Sequence, residues 1–309
     1  LELCASLPIQ EGGRVKPLST YADFLLLRIN GKRSVALADG TRMTPIEWLL
    51  DSLFFPTQAA EYPVFLIQTH EVVEAMGLSH ASKKERDRYS LAELEPGLQR
   101  LFDLAGEYHP IEEKQRSSLQ QQVVTLWSNV YDYLQVVGRP EGLALVPPRD
   151  GSATWLAVAD DPESLRGLAE MVYAREDLAA FEERLASFHG ASVARAEQRG
   201  EYDKIPLELF YYKTKTVPRS LYVFVLAFLT STLLWLRPRS KLLHRATLGL
   251  VTAGTALVVA GIVMRCMIRG RPTVSTLYET VLFVVAVGSL TAIATELINK
   301  QRVAISVAA

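Results

Sequence analysis

The sequence predicts a mainly α protein: a soluble, mostly helical domain followed by three transmembrane helices that read as the start of a polytopic bundle. Three observations carry this reading. Charged residues crowd the chain up to about Thr216, and apolar runs dominate from Leu221 onward. Three stretches, 221–236, 246–264 and 280–295, hold no charge and approach the roughly 20 apolar residues that a spanning helix needs. Before them, apolar residues recur at helical spacing behind recognisable caps. The expected division is a soluble domain over 1–205, a linker over 206–219 and a membrane part over 220–309.

Along the first part, Thr44-Pro45-Ile46-Glu47 is a capping box with proline at the first helical position. The Thr44 hydroxyl can accept from a backbone N–H that the helix leaves unpaired, and Glu47 can reach back. Ile46, Leu49, Leu50, Leu53 and Phe54 then share one face, and Pro56 stops the helix. Ser90-Leu91-Ala92-Glu93 repeats the device ahead of Leu94, Leu98, Leu101 and Phe102. The longest helix of this part is expected from Pro110, with Leu119, Val123, Trp127, Val130 and Leu134 on its stripe and Gly138 and Pro140 at its end. Leu143 to Val146 and Trp155 to Val158 read as short strands or buried extended segments. Asp161-Pro162 opens a helical stretch running, with breaks, to about Gln198.

In the membrane part, Tyr222 and Trp235 sit near the ends of the first run, where aromatic rings favour the bilayer interface. The first and third runs are short and must draw on flanking residues. The first connection, Arg237 to Arg245, is basic, as is the exit at Lys300 and Arg302; this bias places both on the cytoplasmic side and the soluble domain outside. Lys213, Lys215 and Arg219 pull the other way.

Composition excludes several classes. The net charge of −1, with acids and bases interspersed, argues against a nucleic-acid partner. Cys4 and Cys266 form no CxxC or CxxCH, so neither a disulfide framework nor a covalent c-type haem carrier is expected. No GK[ST] follows Gly12-Gly13, which removes the phosphate-loop reading. The chain opens on Leu1 rather than Met and reads as one portion of a longer protein.

The chemistry-bearing segment is the second connection. Arg265, Gly270, Arg271, Pro272, Ser275, Tyr278 and Glu279 lead into the third apolar run. Ser275 reads as its N-cap, and Glu279 in its first turn meets the positive end of the helix dipole. The second reading of this segment is a polar site at the membrane face that orders a ligand or a partner loop. His70, His80, His109 and His189 lack metal-ligand spacing. His244 lies at the mouth of the second span, where it is either a polar flank or a candidate haem ligand.

The stretch Arg265, Gly270, Arg271, Pro272, Ser275, Tyr278, Glu279 and Thr280 resembles the junction between the second and third spans of cytochrome c assembly proteins of the CcsA/ResC type, with Thr276 where that family commonly has asparagine. Gly13-Arg14-Val15-Lys16-Pro17-Leu18 through Ala22 resembles the opening of the long bacterial versions, and Glu208 to Lys213 the stretch leading into their first span. The resemblance implies a multi-pass protein of the bacterial inner membrane with an extracytoplasmic soluble domain. It further implies a heme cofactor, haem being received in the membrane and delivered to the CxxCH thiols of apocytochrome c. The implied partners are apocytochrome c, the lipid bilayer and a ResB/CcsB-type membrane protein or fused domain. The family's tryptophan-rich haem-presenting segment has no counterpart among Trp48, Trp127, Trp155 and Trp235, so the chain reads as the N-terminal portion of such a protein. The alternatives are an anchored extracytoplasmic interaction domain without a haem role and a fragment of a transporter.

Overall fold

The structure is a computed structural model that describes residues 1–37, 39–80, 83–237, 239–272 and 276–299. The chain divides into two compact units, Leu1–Ile205 and Pro206–Ala309.

Unit 1 opens with α1 (Glu2–Ser6) and a hairpin of β1 (Pro8–Glu11) and β2 (Arg14–Pro17). Gly12 and Gly13 turn that hairpin with φ of 59° and 74°, the left-handed pair that a two-residue turn requires. Then come α2 (Leu18–Asn30), β3 (Val35–Ala36), β4 (Arg42–Met43), α3 (Pro45–Phe54), α4 (Pro56–Ala59), β5 (Phe65–Ile67), α5 (His70–Ala75), β6 (Asp87–Tyr89) and α6 (Leu91–Leu94). The unit is completed by α7 (Leu98–Tyr108), α8 (Ser118–Val136), α9 (Pro162–Ala174) and α10 (Leu178–Gln198). The strands form three separate antiparallel pairs, β1 with β2, β3 with β4 and β5 with β6. Helices therefore supply most of the core, in which Trp48, Leu49, Leu94, Leu101, Val123, Val130 and Tyr133 are buried together with Phe65 of β5.

Both capping boxes form. Thr44 accepts from the Glu47 N–H and Ser90 from that of Glu93, while each glutamate bonds back to the cap residue's N–H. The helix expected from Pro110 begins at Ser118 instead. Arg116 donates to the carbonyls of Ile111 and His109, holding that stretch outside the helix, and Ser117 with Gln120 makes a third capping box. At 19 residues α8 is also shorter than α10, which has 21. The two apolar runs after α8 meet in one antiparallel bridge, Val146 with Leu156. Beside it, the Trp155 indole N–H donates to Glu201 at 2.8 Å, and Arg199 bonds both oxygens of that carboxylate.

Unit 1 holds its own apolar core, so a protein of residues 1–205 is expected to melt cooperatively by circular dichroism. Arg199 keeps the Glu201 carboxyl below the usual carboxylate range. A depressed folded pKa contributes stability above the unfolded value, about 4.3, and loses it as pH falls through the folded value. The melting temperature should therefore drop in acid, and Glu201→Gln should flatten part of that drop. A featureless spectrum without a transition would refute independent folding.

Unit 2 consists of α11 (Ile205–Thr214), whose first residue lies in unit 1, α12 (Thr216–Leu236), α13 (Lys241–Arg269) and α14 (Leu277–Asn299). The expected linker 206–219 is helical on both sides of Lys215, whose left-handed φ of 47° separates α11 from α12. Three helical stretches, Ile205–Leu236, Lys241–Arg269 and Leu277–Asn299, are long and apolar enough to cross a membrane. Each outruns its uncharged core, because a helix continues through polar flanks until a cap stops it. Gly270, at φ 64°, is that cap for α13.

Helices α12 and α13 run antiparallel: Thr230 meets Thr247, Phe224 lies against Gly254, and Thr216 and Val217 lie against Gly261. Small residues at seven-residue steps, Thr247, Gly254 and Gly261, let the backbones approach, which in a bilayer substitutes for the hydrophobic drive that lipid removes. A Cβ on Gly261 would lie 2.9 Å from Val217 and 3.0 Å from Thr216.

Candidate functional site

Arg265 and Arg269 stand four residues apart on the last turns of α13 and so share a face. The helix ends at Gly270, and α14 begins at Leu277. The expected cap, Ser275, lies outside the described residues; Thr276 Oγ1 accepts from the Glu279 N–H at 3.3 Å. Threonine and asparagine both serve as N-caps.

This start aims Glu279 back at α13. Its side chain is 2% exposed, and Oε1 accepts from Arg265 Nε at 2.9 Å and Arg269 Nη1 at 3.0 Å. The Arg265 guanidinium also lies 5.3 Å from the centre of the Tyr278 ring, and the Tyr211 hydroxyl of α11 is near it. Arg271 and Pro272 are exposed. Glu279 is thus more than a partner for the helix dipole. It bridges two cations, so removing it would strand two partly buried charges, at a cost above the about 0.3–1 kcal/mol of a dipole interaction.

His244 lies 21 positions before Arg265, about 32 Å along the helix at 1.5 Å per residue. The residues singled out in the sequence therefore separate into two places at opposite ends of α13. His244 Nε2 is 3.6 Å from Oε1 of Glu296, a glutamate of α14 that is 2% exposed. Its Nδ1 is buried with no hydrogen-bond partner among the described residues. The imidazole thus faces a carboxylate on the next helix through one ring nitrogen, an arrangement that serves a polar flank and a ligand alike. In the arginine cluster, the Glu279 carboxylate already accepts from two guanidiniums.

Arg269, a basic residue of the second connection, and Glu296, which bounds the third apolar run, were not among the expected site residues. The signals were present: Arg269 sits at i+4 from Arg265, and Glu296 follows Glu279 by 17 residues in a helix with no other charge. In unit 1, His80 pairs with Glu74 at 2.8 Å, His70 stacks on His80 at 4.0 Å, and His189 bonds Ser6 at 2.9 Å. Among the described residues no group of three or more His, Cys, Asp or Glu could hold a metal ion.

Compared with known proteins, the sequence matches no family model and no curated relative.

Proposed function

We propose that the chain is a membrane component of cytochrome c maturation that handles haem as cargo and assists its delivery to apocytochrome c, alongside a ResB/CcsB-type membrane partner or fused domain. The observation that carries this reading is Glu279. Its segment resembles the junction of CcsA/ResC-type proteins, and its carboxylate is buried between Arg265 and Arg269 at the end of a helix apolar enough to span. Ionisable groups at membrane depth are costly and mark functional sites more often than structural ones. In this reading the triad orders the mouth of the bundle for cargo or for a partner's loop. Iron ligation is assigned to none of the residues described above.

The test uses the full-length protein in cells. Glu279→Gln keeps an acceptor for the arginines but removes the charge. Membrane abundance and haem-stained cytochrome c are measured in one strain. Unchanged abundance with severalfold less holocytochrome is expected. Normal cytochrome at normal abundance would reduce Glu279 to a structural residue and defeat the proposal.

The proposed location is the bacterial inner membrane, with unit 1 outside the cytoplasm. Arg237, Arg239, Lys241 and Arg245 at the α12–α13 turn are exposed, whereas Arg265 and Arg269 at the other end are committed to Glu279. Lys213, Lys215, Arg219 and Arg271 at the other end are exposed as well, so the orientation rests on the family resemblance and on the basic exit at Lys300 and Arg302. Alkaline phosphatase fused after Gln198 should be active, and fused between Arg237 and Arg245 inactive. The reverse pattern would invert the topology.

A further inference from the structure

We infer that the end of unit 2 where α13 gives way to α14 binds the headgroup phosphate of an anionic phospholipid. The close approach at Gly261 sets Thr216 and Val217 against α13 one turn before Arg265. Lys215, just before α12, and Arg219 on it flank that contact and are exposed. Across 206–219 and 265–279 the chain carries six basic and two acidic residues, a net charge of +4.

Within this collar, two guanidiniums share a single carboxylate oxygen. Their side chains are 18% and 28% exposed, too buried for water to compensate the excess charge fully and open enough for a ligand to reach. Partly buried charge without a counterion is costly. A guanidinium has five N–H donors in a planar fork; Arg265 Nε and Arg269 Nη1 bond Glu279 Oε1, and Tyr211 also stands beside Arg265, so the donors left to a ligand are chiefly those of Arg269. A phosphate oxygen pair matches the remaining fork. At the end of a 29-residue helix, longer than a hydrocarbon core is thick, the anion at that depth is the lipid headgroup. Tyr278, 49% exposed, is placed as interfacial aromatics are. The far end of α13 differs: its buried carboxylate faces a histidine, and Arg237, Arg239, Lys241 and Arg245 are all exposed.

The test is binding by the full-length protein in neutral detergent, read by native mass spectrometry and by thermal melting. The probes are phosphatidylglycerol, phosphatidylcholine and inorganic phosphate. Phosphatidylglycerol should be retained and raise the melting temperature, and the other two should not. Arg269→Gln with Arg271→Gln should weaken phosphatidylglycerol binding about tenfold or more. If that pair lowers folded yield, Lys215→Gln with Arg219→Gln, both at exposed positions, should weaken it as well. Arg237→Gln with Arg239→Gln at the other end should leave it unchanged. Equal binding of phosphatidylcholine, or equal loss in the control pair, would overturn the site. Equal stabilisation by inorganic phosphate would overturn the lipid as its ligand. None of these readouts involves cytochrome c, so the outcome is separable from that of the maturation reading.

Discussion

Glu279→Leu is expected to destabilise unit 2 by about 3–5 kcal/mol, the usual cost of removing one partner from a buried charge pair. The cost comes mainly from what remains. Arg265 and Arg269 keep their charges, lose their shared acceptor, and sit four residues apart with like sign. The contact between α13 and α14 has little else to absorb the loss, because few α14 side chains are buried: Glu279, Ala286, Ser289 and Glu296. Denaturation of the full-length protein in mixed micelles, followed by circular dichroism, would measure the effect. The triple substitution Arg265→Met, Arg269→Met, Glu279→Leu should recover most of it, since well-packed apolar residues replace buried ion pairs at little cost. A single leucine variant as stable as the parent would show that the carboxylate does not hold α14 on α13.

Trp48→Ala is expected to cost unit 1 about 3–5 kcal/mol. Trp48 is fully buried on α3, and its ring stacks on Tyr133 of α8 with centroids 6.1 Å apart. Tyr133 in turn meets Phe65 of β5 edge-on at 5.4 Å. Removing the indole therefore opens a cavity where three elements meet. Trp48→Phe should cost much less. It keeps an aromatic ring and removes an indole N–H that has no hydrogen-bond partner among the described residues. Urea titrations of the 1–205 protein would compare the two. Equal losses would mean that the indole N–H is satisfied in solution, by an internal water for instance.

The capping boxes at Thr44 and Ser90 were legible because both partners lie within four residues. So were the three spans, since hydropathy is summed over consecutive residues. The start of α8 was missed because Pro110 signals a helix start locally, while Arg116 makes the competing bonds to Ile111 and His109 across the turn. The boundary after residue 205 followed from the shift in composition, which is legible along the chain, whereas the helical form of 206–219 was not; Pro206 and Pro218 each lie within the first turn of a helix, where the absent N–H costs nothing.

For the site, the sequence by itself determined which residues carry charge near the third span and that a helix would begin there with Glu279 in its first turn. Both follow from composition and from caps that act within one turn. Only the tertiary structure decided what Glu279 does. Its partners come from another helix, and nothing in a linear reading fixes which faces of α13 and α14 meet. The same packing assigned His244 to Glu296 and set it some 30 Å from the arginines. The physical reason is one of range: hydropathy and capping are properties of neighbouring residues, whereas a buried ion pair depends on the register of two helices, which small residues such as Gly254 and Gly261 help to set for α12 and α13 and buried carboxylates for α13 and α14.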